Sequence, residues 1–155
     1  MSDRPSVLFV CLGNICRSPM AEGAMRAAAQ KAGLDIEVDS AGTADYHVGE
    51  PPDPRAIACA KGHGVDISAL RGRQAQPEDF RRFTHIFALD HKNLANLERI
   101  RPADGTAQLA LLLDRVPTRE GQAVADPWHG DESSFEMTWR LVSEAADRLV
   151  AQLST

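Results

Sequence analysis

Val7-Leu8-Phe9-Val10-Cys11-Leu12-Gly13-Asn14-Ile15-Cys16-Arg17-Ser18-Pro19 is the stretch from which the fold can be read. Its first four residues are apolar without alternation, the pattern of a strand buried on both faces. A turn containing glycine and cysteine follows. From Pro19 to about Lys31 the chain then reads as a helix closed by Gly33. Ser18 serves as its expected N-cap, with Pro19 at the first helical position and Glu22 in the first turn.

The same alternation continues outward. Residues 36–39 read as a second strand, and residues 41–53, with Gly42, Gly49, Pro51 and Pro52, as a loop. Asp53-Pro54 opens a helix that runs to about Lys61. Residues 77–83 hold a short helical turn. Residues 85–89 form a third buried strand, and Asp90 caps a helix reaching about Arg101. Residues 108–113 give a fourth strand, followed by a loop over 114–130. In the last helix Ser133 and Glu136 read as a capping box. There Phe135, Trp139, Val142, Ala146, Leu149 and Leu153 recur in steps of four and three, as one buried stripe. Strand and helix alternate four times, which predicts an α/β fold: three layers, a four-stranded parallel sheet with helices on both faces. No repeat or linker divides the chain, so residues 1–155 are expected to form a single domain. Ligands of such sheets sit beyond the carboxyl ends of the strands, which directs attention to the turn after the first.

The chain has 155 residues, 43% hydrophobic, 25% charged and 5% aromatic, enough to bury a core without disulfide staples. Seventeen Lys and Arg against 22 Asp and Glu leave a net charge of -5. An acidic surface repels a phosphate backbone, so nucleic acid is not an expected partner. Met1-Ser2-Asp3-Arg4-Pro5 is polar and the apolar run after it is short, so neither a signal segment nor a membrane span is expected. Three cysteines are an odd number, consistent with a reducing compartment and a cytoplasmic protein.

The turn has its own chemistry. Cys11, five residues, then Arg17 and Ser18 make a small phosphate cradle. The backbone N–H groups of Leu12, Gly13, Asn14, Ile15 and Cys16 can turn inward as an anion nest, and the helix N-terminus adds positive potential. Arg17 can grip two phosphate oxygens with its planar fork. The same field favours ionisation of Cys11, whose free pKa would be about 8.5. The loop lacks the Gly-Lys-Ser/Thr of a Walker A motif, and no second cysteine pair makes a zinc ribbon.

Residues 9–22 resemble the signature of the low-molecular-weight protein tyrosine phosphatases. The likeness continues through Asp39-Ser40-Ala41-Gly42-Thr43, Pro52-Asp53-Pro54-Arg55, Lys61-Gly62-His63-Gly64 and Asp126-Pro127. The resemblance implies a cofactor-free, metal-free phosphatase acting on phosphotyrosine in a protein partner, as a monomer or weak dimer. It implies Cys11 as nucleophile and Arg17 as phosphate ligand. Of the two Asp-Pro pairs, Asp53 has a sufficient role as a helix cap. By analogy Asp126 is the general acid for a phenolate leaving group. Trp128 would wall the substrate slot. His129 departs from the tyrosine common there, and Tyr46 falls in the loop that borders the pocket mouth in relatives. Asn14, Ser18, Ser40 and His63 match a supporting hydrogen-bond network. Cys16 stands close enough to Cys11 for a protective disulfide, while Cys59 reads as packing.

Two enzyme relatives share the loop. Thiol-dependent arsenate reductases need two further cysteines late in the chain, and none follows Cys59. Protein-arginine phosphatases carry a small residue in place of Ile15 and glycine in place of His129, so both positions favour the tyrosine branch. A phosphate-binding module without turnover is the third reading, and phosphate release from an aryl ester separates it.

Overall fold

A computed structural model describes residues 4–154, which leaves Met1, Ser2 and Asp3 of the polar N-terminus outside the described residues. Four strands, β1 (Ser6–Cys11), β2 (Glu37–Gly42), β3 (His85–Ala88) and β4 (Gln108–Leu111), form one sheet in the order β2-β1-β3-β4. All three pairings are parallel, as expected. Helices α1 (Arg17–Ala32), α2 (Pro54–Gly62), α3 (Asp79–Arg82), α4 (His91–Ile100) and α5 (Glu132–Leu153) complete the architecture.

Alternation along β1 decides which layer each residue joins. Val7, Phe9 and Cys11 point into the core shared with Met20 and Met25 of α1 and Phe135 and Trp139 of α5. Leu8 and Val10 point the other way, against Phe80 of α3 and Leu97 of α4. Both faces of the sheet are therefore covered, which is why β1 is apolar throughout. The strand order reverses direction at β1: the chain leaves it toward β2, then crosses back to β3. The carboxyl ends of β1 and β3 flank that switch point, where open α/β sheets leave a crevice.

Several boundaries differ from expectation, each for a local reason. Helix α1 starts at Arg17 with Cys16 as its N-cap, and Ser18 is not the cap, because its hydroxyl is turned to Cys11. Glu22 consequently lies beyond the first turn and is buried. Gly33 closes α1 at φ 69°, the left-handed conformation that favours glycine. Asp53 and Asp90 cap α2 and α4 as predicted, accepting from the N–H of Arg55 and Asn93. The fourth strand ends at Leu111 and the chain tightens into a 3-10 turn over Leu112–Arg115. At α5 the cap is Asp131, whose carboxylate accepts from the N–H groups of Ser133 and Ser134. Ser133 gives its own hydroxyl proton to the same carboxylate, 2.6 Å away, so no capping box forms. Among the described residues no helix is long and apolar enough to cross a membrane.

Candidate active site

β1 ends on Cys11, and the chain curls through residues 12–16 before α1 begins. Neighbouring backbone holds this loop from outside. Thr43 N–H donates to the carbonyl of Cys11, Ala44 N–H to that of Leu12, and Asp53 N–H to that of Ile15, at 2.8–3.0 Å. Gly42 lies so close beneath that a Cβ there would stand 2.7 Å from the Leu12 carbonyl oxygen. The end of β2 can approach the loop only without a side chain.

Asn14 is the hub below the loop. It is buried and takes a left-handed backbone, φ 58°, which asparagine tolerates better than most residues. Its Nδ2 donates to Ser18 Oγ at 2.8 Å and to Ser40 Oγ at 3.1 Å, while its Oδ1 accepts from Arg73 N–H at 3.0 Å. Ser40 Oγ donates a hydrogen bond to Glu22 Oε1 at 2.7 Å, and Arg26 pairs with Oε2 of the same carboxylate at 2.7 Å. Burial raises the Glu22 pKa, and the hydrogen bond from Ser40 and the pairing with Arg26 oppose that rise only in part.

At the other end of this chain, Ser18 Oγ lies 3.0 Å from Cys11 Sγ and 3.3 Å from the Ala41 carbonyl oxygen. A serine has one proton. With Cys11 as a thiol, that proton suits Ala41; with Cys11 as a thiolate, rotation about one bond delivers it to sulfur. Asn14 donates to one lone pair of Ser18 Oγ, which leaves the hydroxyl able to accept from a Cys11 thiol or to donate to a thiolate. Cys16 behaves differently. It is buried, and desolvation, then the Asp53 carboxylate, push its thiol well above the ordinary range.

Arg17 is buried, with both hydrogens of Nη1 engaged: one by Asp90 Oδ2 at 2.7 Å and one by the Val124 carbonyl at 3.0 Å. Its Nη2 stands 3.8 Å from Asp126 Oδ2. Burial opposes its charge, yet Cys11, Asp90 and Asp126 together hold its pKa above the usual arginine value.

A cleft of about 270 Å³ opens above these groups. Cys11, Leu12, Gly13, Ile15, Cys16 and Arg17 form its floor, and Tyr46, His47, Asp126, Trp128 and His129 its sides. The Trp128 and His129 rings meet edge to face at 4.6 Å, so His129 replaces an aromatic wall with another flat ring. Asp126 Oδ1 accepts from Trp128 N–H at 3.1 Å, which ties the carboxylate to its own loop.

Not every predicted residue reaches the cleft. Asn14, Ser18 and Ser40 lie beneath it as supports, with their side chains bonded to one another. His63 does not join them. It sits at the end of α2, exposed, with Nε2 2.8 Å from Glu136 Oε2 and its ring stacked on Trp139. A histidine between glycines shows nothing in sequence of a partner 73 residues away. Sequence reasoning missed His47, and it missed Asp90, Glu22, Arg26 and Arg73 as supports. Only its place as the helix cap directly after the third strand could have drawn attention to Asp90.

A cysteine at the carboxyl end of β1, in a loop that leads into the N-terminus of α1 beside a clamped guanidinium, gives this α/β protein a candidate anion site at the switch point of its sheet. The family model for low molecular weight phosphotyrosine protein phosphatase matches residues 6–155. The chain is 41% identical over 138 residues to the low molecular weight phosphotyrosine protein phosphatase of Schizosaccharomyces pombe, covering 87% of this chain and 88% of the relative. It resembles a crystal structure of the Entamoeba histolytica protein tyrosine phosphatase with TM-score 0.91 and 34% identity, over 97% of each chain. A Drosophila arginine phosphatase structure superposes with TM-score 0.90 and 32% identity, over 96% of this chain and 98% of that one. The chain belongs to the low molecular weight phosphotyrosine protein phosphatase family.

Proposed function

We propose that the protein hydrolyses phosphotyrosine on protein partners, and small aryl phosphates, through a phosphorylated Cys11. The observation that carries this reading is the convergence of Cys11, Arg17 and Asp126 on one cleft. With Nη1 of Arg17 held by Asp90 and Val124, the Nε and Nη2 edge is left to grip two phosphoryl oxygens. Loop N–H groups and the α1 N-terminus meet the remaining charge, so the reaction needs no cofactor or metal. Cys11 Sγ attacks phosphorus and the bond to the aryl oxygen breaks, while protonated Asp126 gives its proton to the departing oxygen. Ionised Asp126 then takes a proton from water as that water attacks phosphorus, releasing inorganic phosphate and returning the Cys11 thiolate. Ser18 donates to sulfur whenever it carries charge. Tyr46, Trp128 and His129 give flat surfaces for an aromatic ring.

The test is turnover of phosphotyrosine by the intact chain and by Cys11→Ser. The variant should lose essentially all phosphate release while keeping its circular dichroism spectrum. A tenth of the activity surviving would overturn the assignment.

Similarity to an arginine phosphatase structure favours a second reading, hydrolysis of phosphoarginine. Ile15 and His129, both bulky and both facing the cleft, weigh against it. Comparing the two phospho-amino acids as substrates decides. We further read the protein as a cytoplasmic single domain, monomeric or weakly dimeric, that binds neither nucleic acid nor membranes. Its acidic charge supports this, and so do its three unpaired cysteines.

A further inference from the structure

Away from the cleft, three ligand-type side chains meet on the outer face where α2 packs on α5. Cys59 and His63 stand one helical turn apart on α2 and its C-cap, so both project to the same side. Glu136, in the first turns of α5, reaches between them. Its Oε1 accepts from Cys59 Sγ at 3.4 Å and its Oε2 lies 2.8 Å from His63 Nε2. One donor atom from each of the three falls within 4.8 Å of the others. We propose that Cys59, His63 and Glu136 bind one borderline divalent cation of the zinc class, at a site separate from the cysteine loop.

The donor set matches that class. Zinc bonds of about 2.3 Å to sulfur and about 2.0–2.2 Å to nitrogen and oxygen set tetrahedral ligands roughly 3.3–3.7 Å apart. Cys59 and His63 meet different oxygens of Glu136; with one oxygen as ligand the three donors lie within 4.8 Å of one another, and side-chain rotation has to draw them in by up to about 1.5 Å. A thiolate, a neutral imidazole and a carboxylate supply two negative charges against a dication. Thiolate and imidazole select zinc-like ions over magnesium or calcium. The ring of His63 is already oriented, stacked on Trp139 at 5.3 Å between centroids. Half-buried Cys59 and exposed Glu136 also line a cleft of about 410 Å³, which gives entry and room for a water as fourth ligand.

The position gives binding a consequence. Asp53, the N-cap of α2, donates its N–H to Ile15 of the loop, and α5 follows directly on the segment carrying Asp126. A cation bridging Cys59 and Glu136 would tie together the two helices that flank the active cleft.

Cobalt(II) is the probe, because a cobalt–thiolate bond absorbs in the near ultraviolet. The full chain carrying Cys11→Ser removes the proposed nucleophilic thiol of the cleft, and the buried Cys16 thiol is common to every variant compared. Titration should give that band, saturating at one equivalent, and zinc should abolish it. In the same background Cys59→Ser should lose the band. His63→Ala should weaken cobalt binding by at least the roughly tenfold that even an outer partner of a metal ligand is worth. Zinc should also raise the melting temperature of the Cys11→Ser chain and leave the Cys59→Ser variant unshifted. Circular dichroism checks that each variant is folded. A band that survives Cys59→Ser, the absence of any band, or an affinity unmoved by His63→Ala overturns the proposal. None of these readouts uses phosphatase activity, so they stand or fall apart from the catalytic reading.

Discussion

Arg17 Nη1 donates to Asp90 Oδ2 across 2.7 Å, linking the first turn of α1 to the N-cap of α4. Asp90 thus does two things at once: one oxygen accepts from Asn93 N–H and caps the start of the helix, and the other aims the guanidinium. The bond spans the switch point of the sheet, because Arg17 follows β1 and Asp90 follows β3. The pair orients the phosphate ligand and brings the two strand ends together.

Asp90→Asn separates those duties, since asparagine caps a helix as well as aspartate does but carries no charge. A charged hydrogen bond is worth about 1.5–3 kcal/mol, or roughly ten- to a hundredfold in rate. kcat/KM on an aryl phosphate should fall by about that factor, while the circular dichroism spectrum stays that of the folded parent. Unchanged kinetics would mean the loop alone places Arg17.

Asp126 should matter in proportion to the leaving group's need for a proton. Asp126→Ala should lose about two to four powers of ten on phosphotyrosine, whose phenol has a pKa of about 10. The loss should shrink on a nitrophenyl ester, whose phenolate leaves unaided. Asp53→Ala should cost about 1 kcal/mol of helix capping and little activity. Both variants assayed on both esters decide which carboxylate is the acid. A greater kinetic loss for Asp53→Ala would reverse the assignment.

Glu22 gives stability a pH dependence of definite sign. Its folded pKa is raised above the ordinary 4.5, so the native state holds this proton more tightly than the unfolded chain. The stability this contributes is complete below about pH 4.5 and is lost as pH rises through the raised value. Glu22→Gln cannot titrate. Relative to that variant, the parent chain should lose ground in urea midpoint as pH rises above about 4.5. A difference between the two midpoints that stays constant with pH would show that Glu22 titrates alike in both states.

Peroxide should inactivate the enzyme reversibly. Oxidation of the Cys11 thiolate to a sulfenic acid, followed by condensation with the Cys16 thiol, forms a disulfide and releases water. A thiol reductant should restore activity, and Cys16→Ser should turn the loss irreversible at the same peroxide dose. Peptide mapping that finds no Cys11–Cys16 link in the oxidised protein would exclude this protection.

What one-dimensional reading captured was whatever depends on neighbours in the chain. The unbroken apolar run at residues 7–10 is a strand buried on both faces because its side chains alternate between two cores. The spacing from Cys11 to Arg17 singles out the loop between β1 and α1 because it puts a thiol, a guanidinium and a helix N-terminus into one short turn. Asp53-Pro54 and Asp90 announce helix starts for equally local reasons. Tertiary structure decided which oxygen each polar side chain would serve. Ser18 and Ser133 look like caps, but Cys11 claims the first hydroxyl and Asp131 accepts the second. By resemblance His63 belongs to the network that supports the cleft, and instead it meets Glu136 and Trp139. Glu22, Arg73 and Asp90 carry no sign of their roles, since each acts on a residue that only folding brings near. Hydrogen-bond partners are chosen by distance in space, and buried polar groups must take whichever partner the packed elements deliver.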